Sequence, residues 1–241
     1  MDFEVLSDAD AVALRGASMI AAAARDAVKQ RGKFVMLRAL AGELLPWDKL
    51  EVFQVDERIA PDGDPDRNLS HLRETLLSHA PLNPEHIHAM PVTSANIDAA
   101  AYDYARTLEG LAGRPPVLDL AHLGIGPDGH TASLVPEDPV LNVRDRDVAL
   151  TGIYQGRRRM TLTYPVLNRS RRILWVITGA EKVAALKRLR AGDESIPSGR
   201  ISRDEALILA DRAAAGVLSA GQGKKGRLCE LELPPITADT A

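Results

Sequence analysis

Cysteine is nearly missing: Cys229 is the single one in 241 residues. That excludes an internal disulfide and a zinc site built on cysteine pairs. No apolar run is long enough to cross a bilayer. The opening residues, MDFEVLSDADAV, lack the basic-then-apolar order of a secretion signal. Positive charge is not in excess, since the formal net charge is −3. This argues against a general nucleic-acid binder but not against a small anion held by a few local Arg or Lys residues. No G-x-S-x-G elbow is present, so Ser133 is not expected to act as a nucleophile. No helix-turn-helix segment suggests coupling to DNA. These absences predict a cytoplasmic protein with no membrane or nucleic-acid partner.

What is present alternates between two kinds of apolar segment. Helices are expected over 7–29, with Ser7 at a capping-box-like start and Gly32 as the stop, and over 68–78. Two more are expected over 96–111, capped by Asn96, and over 181–190. Strands are expected at 51–55, 86–92, 117–123, 148–153, 160–163, 173–178 and 206–209. Strands alternating with helices predict an α/β fold: a doubly wound, mostly parallel, Rossmann-like sheet with helices on both faces. Without repeats or linkers, residues 1–221 read as one catalytic domain, followed by an irregular tail over 222–241.

The segment Leu123-Gly-Ile-Gly-Pro-Asp-Gly-His-Thr-Ala-Ser-Leu134 follows a buried-strand pattern. Open parallel sheets bind ligands beyond the carboxyl ends of their strands. Gly124, Gly126 and Gly129 let the backbone turn tightly and approach a ligand. His130 is expected at the start of the next helix, where free N–H groups favour an anion and where it can take a proton from water. The same glycines match G-x-G-x-x-G, the dinucleotide fingerprint. However, Pro127 removes a donor, and the acidic residues about 20 positions on, Asp145 and Asp147, precede the next strand rather than end it. A bare tight turn with His130 as a helix cap is the plainer alternative.

Val55-Asp-Glu-Arg58 ends a strand and enters a loop. It reads either as a solvated ion-pair cluster or as a site in which Arg58 binds phosphate bidentately. Asn68 either caps its helix, the safer reading, or touches a sugar. Arg157-Arg-Arg159 is the kind of run that is usually solvated, unless one member faces the site. Lys182, in a first helical turn, opposes the helix dipole unless it serves a bound anion. His86 and His88 would share a strand face, but no third metal ligand accompanies them.

In order, Pro46-Trp47, Val55-Asp-Glu-Arg58 with Asn68, the Leu123–Pro136 segment, Arg159-Met-Thr-Leu-Thr163 with Asn168, and Gly179-Ala-Glu-Lys182 resemble the 6-phosphogluconolactonase family, over about Leu45 to Ala215. Related glucosamine-6-phosphate deaminases share G-x-D-G-H but usually continue Ile-Ala-Phe-Asn-Glu-Pro. Thr131-Ala-Ser-Leu-Val-Pro136 resembles the lactonase branch. The resemblance implies hydrolysis of 6-phospho-D-glucono-1,5-lactone to 6-phosphogluconate in the pentose phosphate pathway, with no metal or cofactor. It implies that Arg58 and Lys182 hold the phosphate. His130 activates water, while Asp128, with the backbone at Gly126 and Gly129, orients the ring. Asp56, Asn68 and Arg159 are the further substrate-binding candidates, and the chain is expected to be a monomer or weak homodimer. The nearest rival is a deaminase using Asp56 as base; a non-catalytic sugar-phosphate sensor is another. The family's Ser-Gly-Gly-x-Thr-Pro loop is missing. Val35–Gly42 resembles the helix that follows it, and 32–43 is too short for strand, loop and helix together. A stretch on the order of ten residues is therefore expected to be lacking between Phe34 and Val35.

Overall fold

A computed structural model describes residues 1–37, 45–77 and 81–217. The strands are β1 (Asp2–Leu6), β2 (Phe34–Leu37), β3 (Leu50–Phe53), β4 (Asp56–Arg58), β5 (Ile87–His88), β6 (Ala121–Leu123), β7 (Val148–Leu150), β8 (Arg159–Leu162), β9 (Ile173–Ile177) and β10 (Ala206–Asp211). The helices are α1 (Ala9–Arg31), α2 (Asn68–Leu72), α3 (Ile97–Ala112), α4 (Tyr164–Asn168) and α5 (Val183–Ala191).

Two parallel sheets, β1-β10-β9-β6 and β2-β3-β5, meet where Met36 bridges Leu120 and the Asp119 N–H donates to the Val35 carbonyl. From β2 the chain winds outward through β3 and β5. It then returns to β6 and winds the other way through β9 and β10. The switch between β6 and β2 is where an open α/β sheet forms its ligand crevice. Side chains alternate across this sheet. Phe34, Met36, Leu120 and Leu174 pack with Ile20 and Ala24 of α1. Val35, Leu123, Trp175 and Ile208 pack on the opposite face, with Leu108 of α3 and Leu186 of α5. The sheet is thus doubly wound, mostly parallel and covered on both faces. A small antiparallel sheet, β4-β8-β7, stands apart from it.

Several local expectations need correction. Asp8, not Ser7, caps α1 by accepting from the Ala11 N–H at 2.9 Å. Val35–Leu37 is not helical: with Phe34 it forms a strand paired along β3. A short apolar run carries no period that separates helix from strand, and here the slot between β6 and β3 decides. The strand runs unbroken from Phe34 into Val35, so the gap expected between them does not fall there; residues 38–44, which include the rest of the expected helix, and the tail over 222–241 lie outside the described residues. The N-terminal strand β1 was not anticipated. His86 ends a 3-10 turn rather than sharing a strand with His88, and both rings meet Glu51, at 3.4 and 2.7 Å.

Candidate active site

Because the main sheet is parallel, the segments after β3, β6 and β9 all emerge at its carboxyl end. After β6 the chain does not enter a helix. Gly126 N–H donates to the His130 carbonyl, Gly129 N–H to the Gly126 carbonyl, and Thr131 pairs with Leu134 in a further turn. The expectation that His130 sits on a helix N-terminus is therefore wrong, because these turns use the backbone groups that a helix would need.

A carboxylate is its partner instead. Asp128 Oδ1 lies 2.6 Å from His130 Nδ1 and also accepts the His130 N–H at 3.1 Å. An ionised acceptor at this distance fixes Nδ1 as the protonated nitrogen and leaves Nε2 as the acceptor. Burial works against the Asp128 charge. The His130 N–H, ring and charge and the Tyr154 hydroxyl outweigh it, and hold the carboxyl below the ordinary aspartate range.

Gly126 and Gly129 matter here for space. Their N–H groups are used within the turn, so they are not free donors to a ligand. A Cβ on Gly126 would lie 2.1 Å from His130 Nδ1 and 2.6 Å from Asp128 Oδ1. Gly129 has φ +87°, and a Cβ there would strike Ile196. Replacing Gly126 with alanine must therefore displace the Asp128–His130 pair. We expect kcat to fall about 100-fold or more, since misplacing a reacting group by an ångström costs that much. Steady-state kinetics on a variant with unchanged circular dichroism checks this.

The turn is fastened to the small sheet. Ser133 N–H donates to Thr161 Oγ1, and Ser133 Oγ donates to Asp56 Oδ2 at 2.6 Å. In the antiparallel register Asp56 faces Thr161 and Arg58 faces Arg159, so these four side chains share one face. Arg159 is buried at 4% exposure, against the usual fate of an arginine run. Its pKa is lowered, first by burial and then by the neighbouring Arg58 charge, with Asp56 opposing. The Nε atoms of Arg58 and Arg159 are both buried without an acceptor. Two adjacent guanidinium groups with unused donors are the chemistry that can hold an anion, although each also donates within the protein, Arg58 to the Asp66 carbonyl and Arg159 to Gln155. Arg157 instead pairs with Asp64 and Asp66.

Asn68 is not a helix cap. It is the first residue of α2, and its amide donates to the Asp56 carbonyl at 2.9 Å and carboxylate at 3.2 Å. The capping is done by Glu57, a residue the sequence reading passed over as one of three charges. Asp56 and Asn68 border a cleft of about 200 Å³ with Phe53, His71, Gly124 and Ala132. Lys182 follows β9 at the same end of the sheet, beside Glu181 at 3.7 Å. Among the described residues no contact joins it to His130 or Arg58. Tyr154, also missed, donates to Asp128 Oδ2 at 2.9 Å.

A family described as glucosamine-6-phosphate isomerases/6-phosphogluconolactonase matches residues 7–209. The chain belongs to this family. It is 36% identical over 235 residues to a 6-phosphogluconolactonase of Nostoc sp., covering 90% of this chain and 98% of that one. The fold matches a 6-phosphogluconolactonase of Trypanosoma brucei with a TM-score of 0.77 at 22% identity, over 90% and 98% of the two chains. A monomeric glucosamine-6-phosphate deaminase matches nearly as well, with a TM-score of 0.76 at 18% identity over 90% and 100%. The fold is thus common to both branches of the family, and the side chains must separate them.

Proposed function

We propose that this protein hydrolyses 6-phospho-D-glucono-1,5-lactone to 6-phosphogluconate, a step of the pentose phosphate pathway, with His130 as the general base. The observation that carries this is the Asp128–His130 pair, 2.6 Å apart, on a turn tied to a sheet that holds two adjacent arginines. Arg58 and Arg159 bind the substrate's anionic end, and Lys182 adds charge from the turn after β9. Asp56 and Asn68 orient the sugar hydroxyls. Nε2 of His130 takes a proton from water as the water oxygen adds to the lactone carbonyl. The N–H groups of Gly126, Gly129 and His130 are already engaged, so other donors meet the developing negative charge. As the tetrahedral intermediate collapses, the imidazolium returns the proton to the ring oxygen. No covalent intermediate is required.

The deaminase reading needs Asp56 as a base. Both of its carboxylate oxygens accept hydrogen bonds, Oδ2 from Ser133 and Oδ1 from Asn68, an arrangement suited to orienting a ligand rather than abstracting a proton. Ammonia release from glucosamine 6-phosphate is the discriminating assay: we expect none, and turnover at a rate comparable to lactone opening would overturn the assignment. Arg58→Ala should raise KM roughly tenfold or more with little change in kcat, because a charge-assisted hydrogen bond to the substrate is lost before and after the barrier alike. Initial rates against lactone concentration test this, and an unchanged KM would remove Arg58 from the anion site.

A further inference from the structure

Tyr154 has no role in the steps above, yet it contacts every group that defines the base. It lies in the β7–β8 hairpin, at a two-residue turn in which Gln155 and Gly156 both have positive φ and Tyr154 bridges Arg157. This is the turn geometry that matches strand twist, so the hairpin fixes the backbone from which the ring projects. The hydroxyl donates to Asp128 Oδ2 at 2.9 Å, leaving Oδ1 for His130. The ring meets the His130 ring edge-on, with centroids 5.5 Å apart. The Arg159 guanidinium lies over the Tyr154 ring, 4.9 Å from its centroid, and donates to the Gln155 side chain at 3.1 Å.

We propose that Tyr154 is a positioning residue: it divides the two Asp128 oxygens between itself and His130, and links the base to the anion-binding Arg159 through one rigid hairpin. Without the hydroxyl, Asp128 is held by His130 through Oδ1 alone, and the direction of Nε2 is less firmly fixed.

The inference rests on the general-base reading, and Tyr154→Phe tests it with two measurements. Against the lactone, kcat is expected to fall roughly tenfold, as for other partners that orient a reacting group, with KM within about twofold. By NMR, which needs no substrate, the His130 Nδ1–H proton is expected to exchange faster with water, because the Asp128 carboxylate that holds it is less firmly fixed. The proposal is overturned if kcat is unchanged, or if the exchange rate of that proton is unchanged. A wild-type protein inactive on the lactone would instead refute the reaction, while the NMR exchange rate still reports on Tyr154.

Discussion

Replacing His130 with alanine is expected to lower kcat by roughly 10²–10⁴, or about 3–5 kcal/mol of barrier, with KM little changed. The size follows from the local geometry. A lactone carbonyl is a modest electrophile and neutral water a weak nucleophile, so removing a proton during attack matters most. His130 alone in the turn has a ring nitrogen held by a carboxylate, at 2.6 Å, and its side chain is 22% exposed, enough for a substrate to reach. Because the His130 N–H and carbonyl are bonded within the turn whatever the side chain, the alanine variant keeps the loop. Circular dichroism and the unfolding midpoint should therefore match wild type while kcat falls. A folded variant with full kcat would remove His130 from the mechanism.

The second large effect concerns stability. Glu57→Ala is expected to destabilise the protein by about 3–5 kcal/mol, the usual cost of removing one partner from a buried ion pair. Glu57 is fully buried, at 0% exposure. Its carboxylate accepts from the Asn68 N–H at 2.8 Å and the Leu69 N–H at 2.9 Å, the free donors at the start of α2. It also accepts from the Arg58 N–H, the Gln54 amide and Arg67, itself 3% exposed. Alanine strands all of these, including a buried guanidinium, whose second partner, Asp62, is largely solvated. Denaturant unfolding reads the loss as a lower midpoint, and thermal unfolding as a drop on the order of 10 °C. A change below about 1 kcal/mol would show that α2 is held by packing instead. Since α2 carries Asn68, activity should fall with stability.

How much of this could be read in the chain follows from distance along it. Asp128 and His130 are two residues apart, and the glycines around them announce a turn, so the segment was legible, whereas Asp128 was expected to orient the sugar ring and its bond to the His130 ring was not foreseen. The capping of α3 by Asn96 was legible for the same reason, since Asn96 accepts from the Ala99 N–H three residues on. Strands β9 and β10 announced themselves as β-rich apolar runs. The contacts that complete the site are made across the fold. Tyr154 reaches Asp128 over 26 positions and Ser133 reaches Asp56 over 77. Arg159 is buried because the β4–β8 register sets it beside Arg58, and no local pattern separates it from Arg157 and Arg158. Glu57 looked like one charge among three until α2 was seen to start on its carboxylate. His130 was misplaced on a helix because glycine-rich turns after parallel strands often lead into one. Here Thr131 and Leu134 close a turn instead.

The measurement that tests the account most directly follows loss of 6-phosphogluconolactone, generated in situ, with wild-type protein and with His130→Ala, after subtracting spontaneous ring opening. The account predicts marked acceleration by the wild type and rates close to background with the folded variant. A folded wild-type protein that leaves the spontaneous rate unchanged would contradict it.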